Sequence, residues 1–376
     1  MNSIETKDKN LIYLLACAIN NIKPDESIVN EINLEELYEY SQFHMVTASV
    51  CVALESMGIK DQRFIEVLNK SIRNTILFNI ERKKIFQEFE KKQIWYLPLK
   101  GIIIKDLYPK NGMREMSDND ILYDKSKQLE VKKIMCSSGY IAESIGESNH
   151  DVYVKLPVLS FELHTSLFGK ENAFSTYYTN IEQKMLKDKD NLYGYHFSDE
   201  DFYIYNTLHE YKHYSNYGTG IRSLLDCYVY VRNKKESLNW VYIEEQMKML
   251  GIYDYEEKRK RISEKIFSNI NFQKLTNEEE KMLLTFLRSG VYGTMKRKVE
   301  NRIEEERKKH KNNLKMYYIL NRMFPSYKEM YLNYPKLCKH KILLPMAYVY
   351  RILRGFIKNS NLIKIELKAI KNVKIQ

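Results

Sequence analysis

Residues 117–122 have the sequence Ser-Asp-Asn-Asp-Ile-Leu, in which two carboxylates stand next to two large apolar side chains. The apolar pair predicts a buried strand that begins at Asp118. Because residues i and i+2 of a strand point to the same face, Asp118 and Asp120 are expected to project together. Two adjacent carboxylates repel each other unless a cation lies between them, and Mg²⁺ prefers such oxygen ligands. The segment therefore predicts a magnesium site, with an Asx-rich turn as the alternative.

A third carboxylate lies on another predicted strand of the same region. Residues 160–165 are predicted to form a strand, and Glu162 stands between its two apolar residues, Phe161 and Leu163. In a strand, Glu162 and His164 share the face opposite to those neighbours. Three carboxylates on adjacent strands are the set that two-metal phosphoryl transfer requires, and His164 could assist proton transfer or bond a metal ligand. The alternatives are a water-facing edge strand for Glu162 and a structural role for His164.

Two basic residues near these strands are candidates for nucleotide binding. Lys100-Gly101 follows the apolar run 94–99, and a glycine in such a turn lets backbone amides approach a phosphate. Lys100 could neutralise a triphosphate oxygen, although Lys-Gly pairs are also common in ordinary turns. Arg114 lies in the loop before the metal-binding strand, where it could bind the triphosphate bidentately or pair with Glu115 at the surface.

The composition favours a helix-rich chain. Gly (13) and Pro (7) are scarce among the 376 residues, which argues against an all-β fold. We predict an α+β protein with an N-terminal helical segment at 1–93, a small mixed-sheet core at 94–170 and a C-terminal helical domain at 171–376. A further half-buried strand is predicted at 152–156, where apolar and polar residues alternate.

The apolar periodicity predicts long helices in three regions of the chain. Residues 34–57 are predicted to form one helix that ends at Gly58. Residues 61–92 are predicted to form another, and residues 277–311 a third. The expected apolar face of the second contains Leu68, Ile72, Ile76 and Ile80.

The charge balance favours an anionic partner. Sixty Lys+Arg against 49 Asp+Glu give a net charge of +11, which suits a nucleotide, RNA or a phosphorylated sugar. A general lysine-rich composition is the alternative. Residues 296–298 and 307–311 are basic and are the candidates for a polyanionic acceptor. The second stretch follows three glutamates and also fits a solvated helix face, so nucleic-acid binding stays open.

The remaining composition indicates a cytoplasmic protein. Five dispersed cysteines without a Cys-x-x-Cys pair predict free thiols in a reducing compartment. The longest apolar run, at 342–350, is about half of what a membrane-spanning helix needs. The N-terminal residues lack the apolar core of a signal peptide. We therefore predict no membrane partner.

A second motif, at residues 209–213, has the sequence His-Glu-Tyr-Lys-His and matches the H-E-x-x-H pattern of zinc hydrolases. On a helix, His209 and His213 would share one face, but no third ligand stands in a recognisable motif. The alternatives are that both histidines line the cleft of an active site, where they touch substrate phosphate or base, or that they pack helices together.

In their order along the chain, these motifs resemble a bacterial branch of the nucleotidyltransferase superfamily, alongside DNA polymerase β-like and aminoglycoside-modifying enzymes. The similarity covers roughly residues 95–355. It is carried by Leu99-Lys100-Gly101, Leu107-Tyr108-Pro109, Arg114, the segment 117–122 and Phe161-Glu162-Leu163-His164, and continues through His209, His213, Ile221-Arg222, Asp226 and the segment 322–326.

This resemblance implies Mg²⁺-dependent transfer of a nucleoside monophosphate from an NTP to a hydroxyl, with release of pyrophosphate. It implies that Asp118 and Asp120 hold two Mg²⁺ ions, that Glu162 is the third carboxylate and that Gly101 lies beside the phosphates. The chain departs from the superfamily in having Lys-Gly where Gly-Gly or Gly-Ser is usual. It also has a longer interval between Gly101 and Asp118, so its nucleotide-binding details are expected to differ.

The sequence leaves the acceptor open among a small molecule, a peptide, a protein and tRNA, because function lies in the site and not in the fold. Three alternative functions accompany the principal one. They are a zinc-dependent hydrolase that uses His209, Glu210 and His213, a toxin-like nucleotidyltransferase that modifies tRNA, and a binding module that keeps the fold without catalysis.

Overall fold

The computed structural model describes residues 3–270, 273–307, 313–338 and 341–372. Residues 308–311 of the second basic stretch lie outside the described residues. The chain divides into two compact units, one formed by residues 1–211 and 221–287 and the other by residues 212–220 and 288–376. The three-part division predicted from the sequence stays a prediction.

Helices fill the described chain before the sheet: α1 (Thr6–Asn20), α2 (Glu26–Val29), α3 (Leu34–Phe43), α4 (Thr47–Ser56) and α5 (Gln62–Lys91). The single helix predicted for residues 34–57 is wrong, because the chain turns between α3 and α4, where Met45 adopts a φ of 51°. Gly58, with a φ of 81°, follows the end of α4 as predicted.

The buried face of α5 also differs from the prediction. Leu68 is buried as predicted, but Ile76 and Ile80 are 46% and 48% exposed, and the other large buried side chains include Phe64, Phe78 and Phe89. Apolar residues occur on two faces of this helix. The face that carries the phenylalanines is turned inward, in keeping with the larger apolar area that aromatic rings bury.

A five-stranded sheet follows, formed by β1 (Tyr96–Pro98), β2 (Asn119–Tyr123), β3 (Ile141–Ser144), β4 (His150–Lys155) and β5 (Leu159–His164). The strand order is β1-β2-β5-β4-β3, with β2 and β5 parallel and the other pairs antiparallel. The predicted α+β class with a small mixed sheet is confirmed. Strand β3 was not predicted, because it is a partly exposed edge strand with little apolar pattern.

Two helices connect the strands of this sheet. Helix α6 (Gly101–Ile104) and a 3₁₀ turn (Lys105–Leu107) lie between β1 and β2, and α7 (Gln128–Ser137) lies between β2 and β3. One face of the sheet packs with α5 and α7 in a core that contains Ile121, Tyr123, Phe161 and Leu163. Because side chains alternate along a strand, the opposite face of β2 and β5 carries the polar residues.

The remaining elements are mostly helical. A two-stranded sheet, β6 (Met185–Lys187) and β7 (Tyr195–Phe197), precedes α8 (Asp199–Tyr214), α9 (Ile221–Lys234), α10 (Trp240–Met249), α11 (Tyr253–Phe267), α12 (Asn277–Ser289), α13 (Met295–Arg307), α14 (Leu314–Met323), α15 (Tyr327–Asn333), α16 (Pro335–Cys338) and α17 (Leu344–Asn372). The single helix predicted for residues 277–311 is wrong, since Gly290 and Gly293 have φ values of 63° and 71° between α12 and α13. Within the described residues, none of the helices combines the length and the apolar composition that crossing a bilayer requires.

In the second unit, basic side chains of α13 have local partners. Lys296 and Arg297 lie 3.9 Å and 3.4 Å from the carboxylate of Glu300, and Lys298 Nζ donates to Tyr217 Oη at 2.6 Å. This pairing agrees with a solvated helix face. Binding of a polyanion by this helix stays a prediction.

The orientation of α5 can be tested with two substitutions. Phe89→Ala removes a fully buried ring and is expected to lower the free energy of unfolding by about 3–5 kcal/mol. Ile80→Ala, on the exposed face of the same helix, is expected to change it by less than about 1 kcal/mol. Urea denaturation followed by circular dichroism measures both, and a larger loss for Ile80→Ala would contradict this orientation.

Candidate active site

The polar face of the sheet brings the predicted carboxylates together. In the parallel pairing of β2 with β5, Asp120 is the register partner of Glu162 and Leu122 that of His164. Asp118 lies directly before β2, and its carboxylate interacts electrostatically with those of Asp120 and Glu162. The register therefore brings Glu162 to two aspartates that lie far from it in the sequence.

Asp120 is the centre of this group and is only 4% exposed. Its Oδ1 accepts hydrogen bonds from Lys100 Nζ at 2.6 Å and from His164 Nε2 at 2.9 Å. Burial alone would raise the pKa of Asp120, but Lys100 and His164 outweigh it and hold this pKa well below its usual range. Burial lowers the pKa of His164 to about 4. Asp120 is thus an ionised carboxylate beside a neutral imidazole.

Glu162 and Asp118 experience the repulsion of this ionised neighbour. Burial and then the charge of Asp120 raise the pKa of Glu162 to about 7, and the same two causes raise the pKa of Asp118. Lys100 Nζ lies 4.0 Å from Glu162 Oε2 and compensates one charge. The raised pKa values of Asp118 and Glu162 show that Lys100 offsets only part of the repulsion among the three carboxylates, so the group fits a divalent cation held by Asp118, Asp120 and Glu162.

The backbone at Lys100 has a conformation that glycine adopts most easily. Lys100 has φ 49° and ψ −120°, which costs a residue with a side chain about 1–3 kcal/mol. In the resembled superfamily, a glycine is usual at this position. Lys100 therefore differs from the usual glycine in its side chain, which brings an ammonium to Asp120. Its backbone keeps a conformation that suits glycine.

Gly101 is required by packing and has no positive φ. A Cβ at this position would collide with the guanidinium of Arg114 and would lie 2.9 Å from Met116 Sδ. Close approach of the Gly101 backbone to a phosphate stays a prediction. The glycine leaves room for the arginine that covers it.

Arg114 is held by a buried carboxylate. Its Nε and Nη2 each donate to Asp226 at 2.9 Å, and Tyr108 Oη donates to Asp226 at 2.7 Å. Arg114 is therefore paired with Asp226, on α9, and not with Glu115. Contact between Arg114 and a triphosphate stays a prediction.

Two further residues belong to this region and were not predicted as site residues. Tyr205, on α8, is fully buried, and its hydroxyl has no hydrogen-bond partner within the described part of the chain. Burial raises its pKa, with Lys100 opposing the shift and the carboxylates of Asp120 and Glu162 adding to it. The protonated hydroxyl is a donor beside the acidic group. One tyrosine among 30 carries no signal in the sequence that marks it for this role.

Arg222, on α9, is the second such residue. Burial and then the like charge of Arg114 lower its pKa, and it interacts electrostatically with Asp118. Its Nη1 donates to the backbone oxygen of Glu115 at 3.3 Å, and no carboxylate among the described residues lies within ion-pair distance. The motif Ile221-Arg222 was its only signal in the sequence.

The H-E-x-x-H motif does not have the arrangement of a zinc hydrolase. Glu210 is buried and accepts hydrogen bonds from Arg259 Nη1 at 2.7 Å and Tyr255 Oη at 2.8 Å, so its carboxylate is engaged in the core. His209 packs against the ring of Tyr205, with centroids 6.1 Å apart. His213 belongs to the second compact unit. A role for both histidines in lining a cleft stays a prediction.

Comparison with known proteins gives one match. The model of a family described as uncharacterised nucleotidyltransferase matches residues 30–258, which include the sheet, the acidic group and helices α8 and α9. No curated protein and no solved structure matches the chain.

The buried pair of Arg114 and Asp226 predicts a large stability effect. Asp226→Ala leaves the guanidinium without its carboxylate and is expected to lower the free energy of unfolding by about 3–5 kcal/mol. The control is Asp199→Ala, which breaks a half-exposed pair with Lys234 and should cost no more than about 1 kcal/mol. Equal effects in urea denaturation would mean that Asp226 is not the anchor of Arg114.

Proposed function

The chain belongs to this family of nucleotidyltransferases, and from that premise we propose that it moves a nucleoside monophosphate from an NTP to an acceptor hydroxyl and releases pyrophosphate. The observation that carries this proposal is the register of β2 and β5, which places Asp120 beside Glu162, with Asp118 two residues before Asp120. The acceptor is a small molecule, a peptide, a protein or tRNA.

Asp118, Asp120 and Glu162 would hold two Mg²⁺ ions in this reaction. When bound, such ions stabilise the attacking and leaving oxygens of an in-line displacement. The supporting observations are the mutual repulsion of the three carboxylates, which raises the pKa values of Glu162 and Asp118, and the buried hydroxyl of Tyr205 beside them. His164 orients Asp120 through its 2.9 Å hydrogen bond, and Lys100 limits the repulsion between Asp120 and Glu162.

Arg222 and Arg114 supply the positive charge for the triphosphate. Arg222 lacks a carboxylate partner among the described residues, so a phosphate can take that place. Arg114, fixed by Asp226, adds its charge to the same region. Tyr205 is a candidate to donate a hydrogen bond to a phosphate oxygen or to the acceptor.

The carboxylates provide the first test of this function. Asp118→Asn and Asp120→Asn are each expected to reduce transfer of label from α-³²P NTPs by about a hundredfold or more, because each removes a metal ligand. The assay contains Mg²⁺, each NTP in turn and fractionated cell extract, and locates the labelled acceptor. Asp124→Asn is the matched control, since Asp124 follows the same strand and caps a 3₁₀ turn, a role that asparagine keeps.

Asp118→Asn should melt at or above the temperature of the unsubstituted protein, because burial and the charge of Asp120 disfavour the ionised form of Asp118. Asp120→Asn should melt at a lower temperature, because it leaves the Lys100 ammonium without its buried carboxylate, and circular dichroism at the assay temperature checks that this variant is folded. Full transfer by either folded variant would refute the proposal. Absence of transfer from every NTP by the unsubstituted chain would favour the non-catalytic binding module. Label found in tRNA would identify the acceptor of the toxin-like alternative.

Arg222 provides the second test. Arg222→Gln is expected to raise the KM for the NTP by about tenfold to a hundredfold, because a charged hydrogen bond to phosphate contributes about 1.5–3 kcal/mol. The control is Arg232→Gln on the same helix, where Arg232 bonds the exposed Asn20 side chain and the Ile19 carbonyl. Initial rates against NTP concentration separate KM from kcat, and equal KM values in both variants would exclude Arg222 from triphosphate binding.

A further inference from the structure

We propose that His150, Glu162 and His164 form a nitrogen-containing position for a transition-series divalent cation, so that one ion of the site is selected by imidazole as well as by carboxylate ligands. This metal position would serve the proposed nucleotidyl transfer, and its biological purpose rests on that proposed function. The binding itself can be measured without an NTP. His150 is not part of the acidic set considered above.

The backbone register fixes these three side chains on one face of the sheet. His150 on β4 is the register partner of His164 on β5, and Glu162 lies two residues before His164. Glu162 Oε2 is 3.9 Å from His150 Nε2 and 3.8 Å from His164 Nε2, and one ligand atom of each residue lies within 4.8 Å of the others. Ligands of one such ion lie about 3.3–3.5 Å apart, so small side-chain rotations close the set.

Accessibility suits an ion that enters from solvent. The side chains of His150 and Glu162 are 28% and 29% exposed, whereas that of His164 is 4% exposed and lies beneath them. Two ligands can therefore meet the hydrated ion first, and the third completes the set.

The position of the Lys100 charge favours cation binding on the side of Glu162 that faces the two histidines. Lys100 lies on the side of Asp120, 2.6 Å from Asp120 and 4.0 Å from Glu162, whereas the two imidazoles flank Glu162 on β4 and β5. To bind a cation, His164 Nε2 would release its proton to solvent and give up its 2.9 Å hydrogen bond to Asp120 Oδ1. Asp120 would then face both Lys100 and the ion.

Donor chemistry decides which kind of ion fits. Mg²⁺ takes oxygen ligands almost exclusively, whereas transition-series ions accept imidazole nitrogen readily. Two imidazoles and one carboxylate therefore favour a transition-series ion over Mg²⁺ at this position. Mn²⁺ has the weakest preference for nitrogen in that series and is thus the strictest probe of this selectivity. Asp118 and Asp120, with oxygen ligands alone, keep the preference for Mg²⁺.

The test uses the metal-free full chain and Mn²⁺ as the probe. Electron paramagnetic resonance measures bound Mn²⁺, competition with Mg²⁺ gives relative affinity, and electron spin echo modulation detects nitrogen bound to the ion. We expect Mn²⁺ to bind at least about tenfold more tightly than Mg²⁺, with nitrogen coupling. His150→Ala should lower the Mn²⁺ affinity about tenfold or more and leave Mg²⁺ affinity within twofold.

The control is His196→Ala, which removes a half-exposed histidine of β7 that bonds Asp188, and it should not change the affinity for either ion. Absence of nitrogen coupling, or equal Mn²⁺ affinity in His150→Ala and the unsubstituted chain, would overturn the inference. In that case Mg²⁺-supported transfer would still uphold the proposed function. If Mn²⁺ binds with nitrogen coupling but no NTP supports transfer, the metal position would be confirmed and the proposed function would be overturned.

Discussion

The structure depends on one buried carboxylate, that of Asp120, which is shared by Lys100 and His164. An ionised carboxylate that is 4% exposed is unfavourable unless charge and hydrogen bonds compensate it. Its two partners come from the turn after β1 and from β5, so the compensation requires the antiparallel pairing of β1 with β2 and the parallel pairing of β2 with β5. The same pairing places Glu162 beside Asp120. The compensation of Asp120 and the assembly of the acidic group therefore depend on the same strand pairings.

A second ionic contact links helix α9 to the acidic group of the sheet. Asp226 on α9 receives Arg114 from the loop before β2, and Arg114 in turn lies over Gly101. The loop that leads into the acidic strand is thereby fixed to α9, the helix that also carries Arg222. Helix α8 contributes Tyr205 to the same region. The helices that follow the sheet in the sequence thus take part in building the site, and they lie within the part of the chain that the family match covers.

The sequence allowed the sheet and its acidic residues to be predicted because both follow from local alternation. Asp118, Asp120, Glu162 and His164 lie in or beside short apolar strands, where a period of two assigns the face directly. His150, Tyr205 and Arg222 escaped prediction because their place depends on register or helix packing between distant segments. The prediction of the inward face of α5 failed for a related reason. Its isoleucines and phenylalanines define two competing apolar faces, and only the area buried against the sheet selects between them. The edge strand β3 has too little apolar pattern to be recognised.

The positive φ of Lys100 has a consequence for any attempt to stabilise this chain by substitution. Glycine at position 100 would relieve a strain of about 1–3 kcal/mol, because glycine adopts a φ of 49° readily. The same substitution would leave the buried carboxylate of Asp120 without its ammonium, which costs about 3–5 kcal/mol. The net result would be a less stable protein, so the backbone conformation at position 100 and the ion pair that it carries can be exchanged only together.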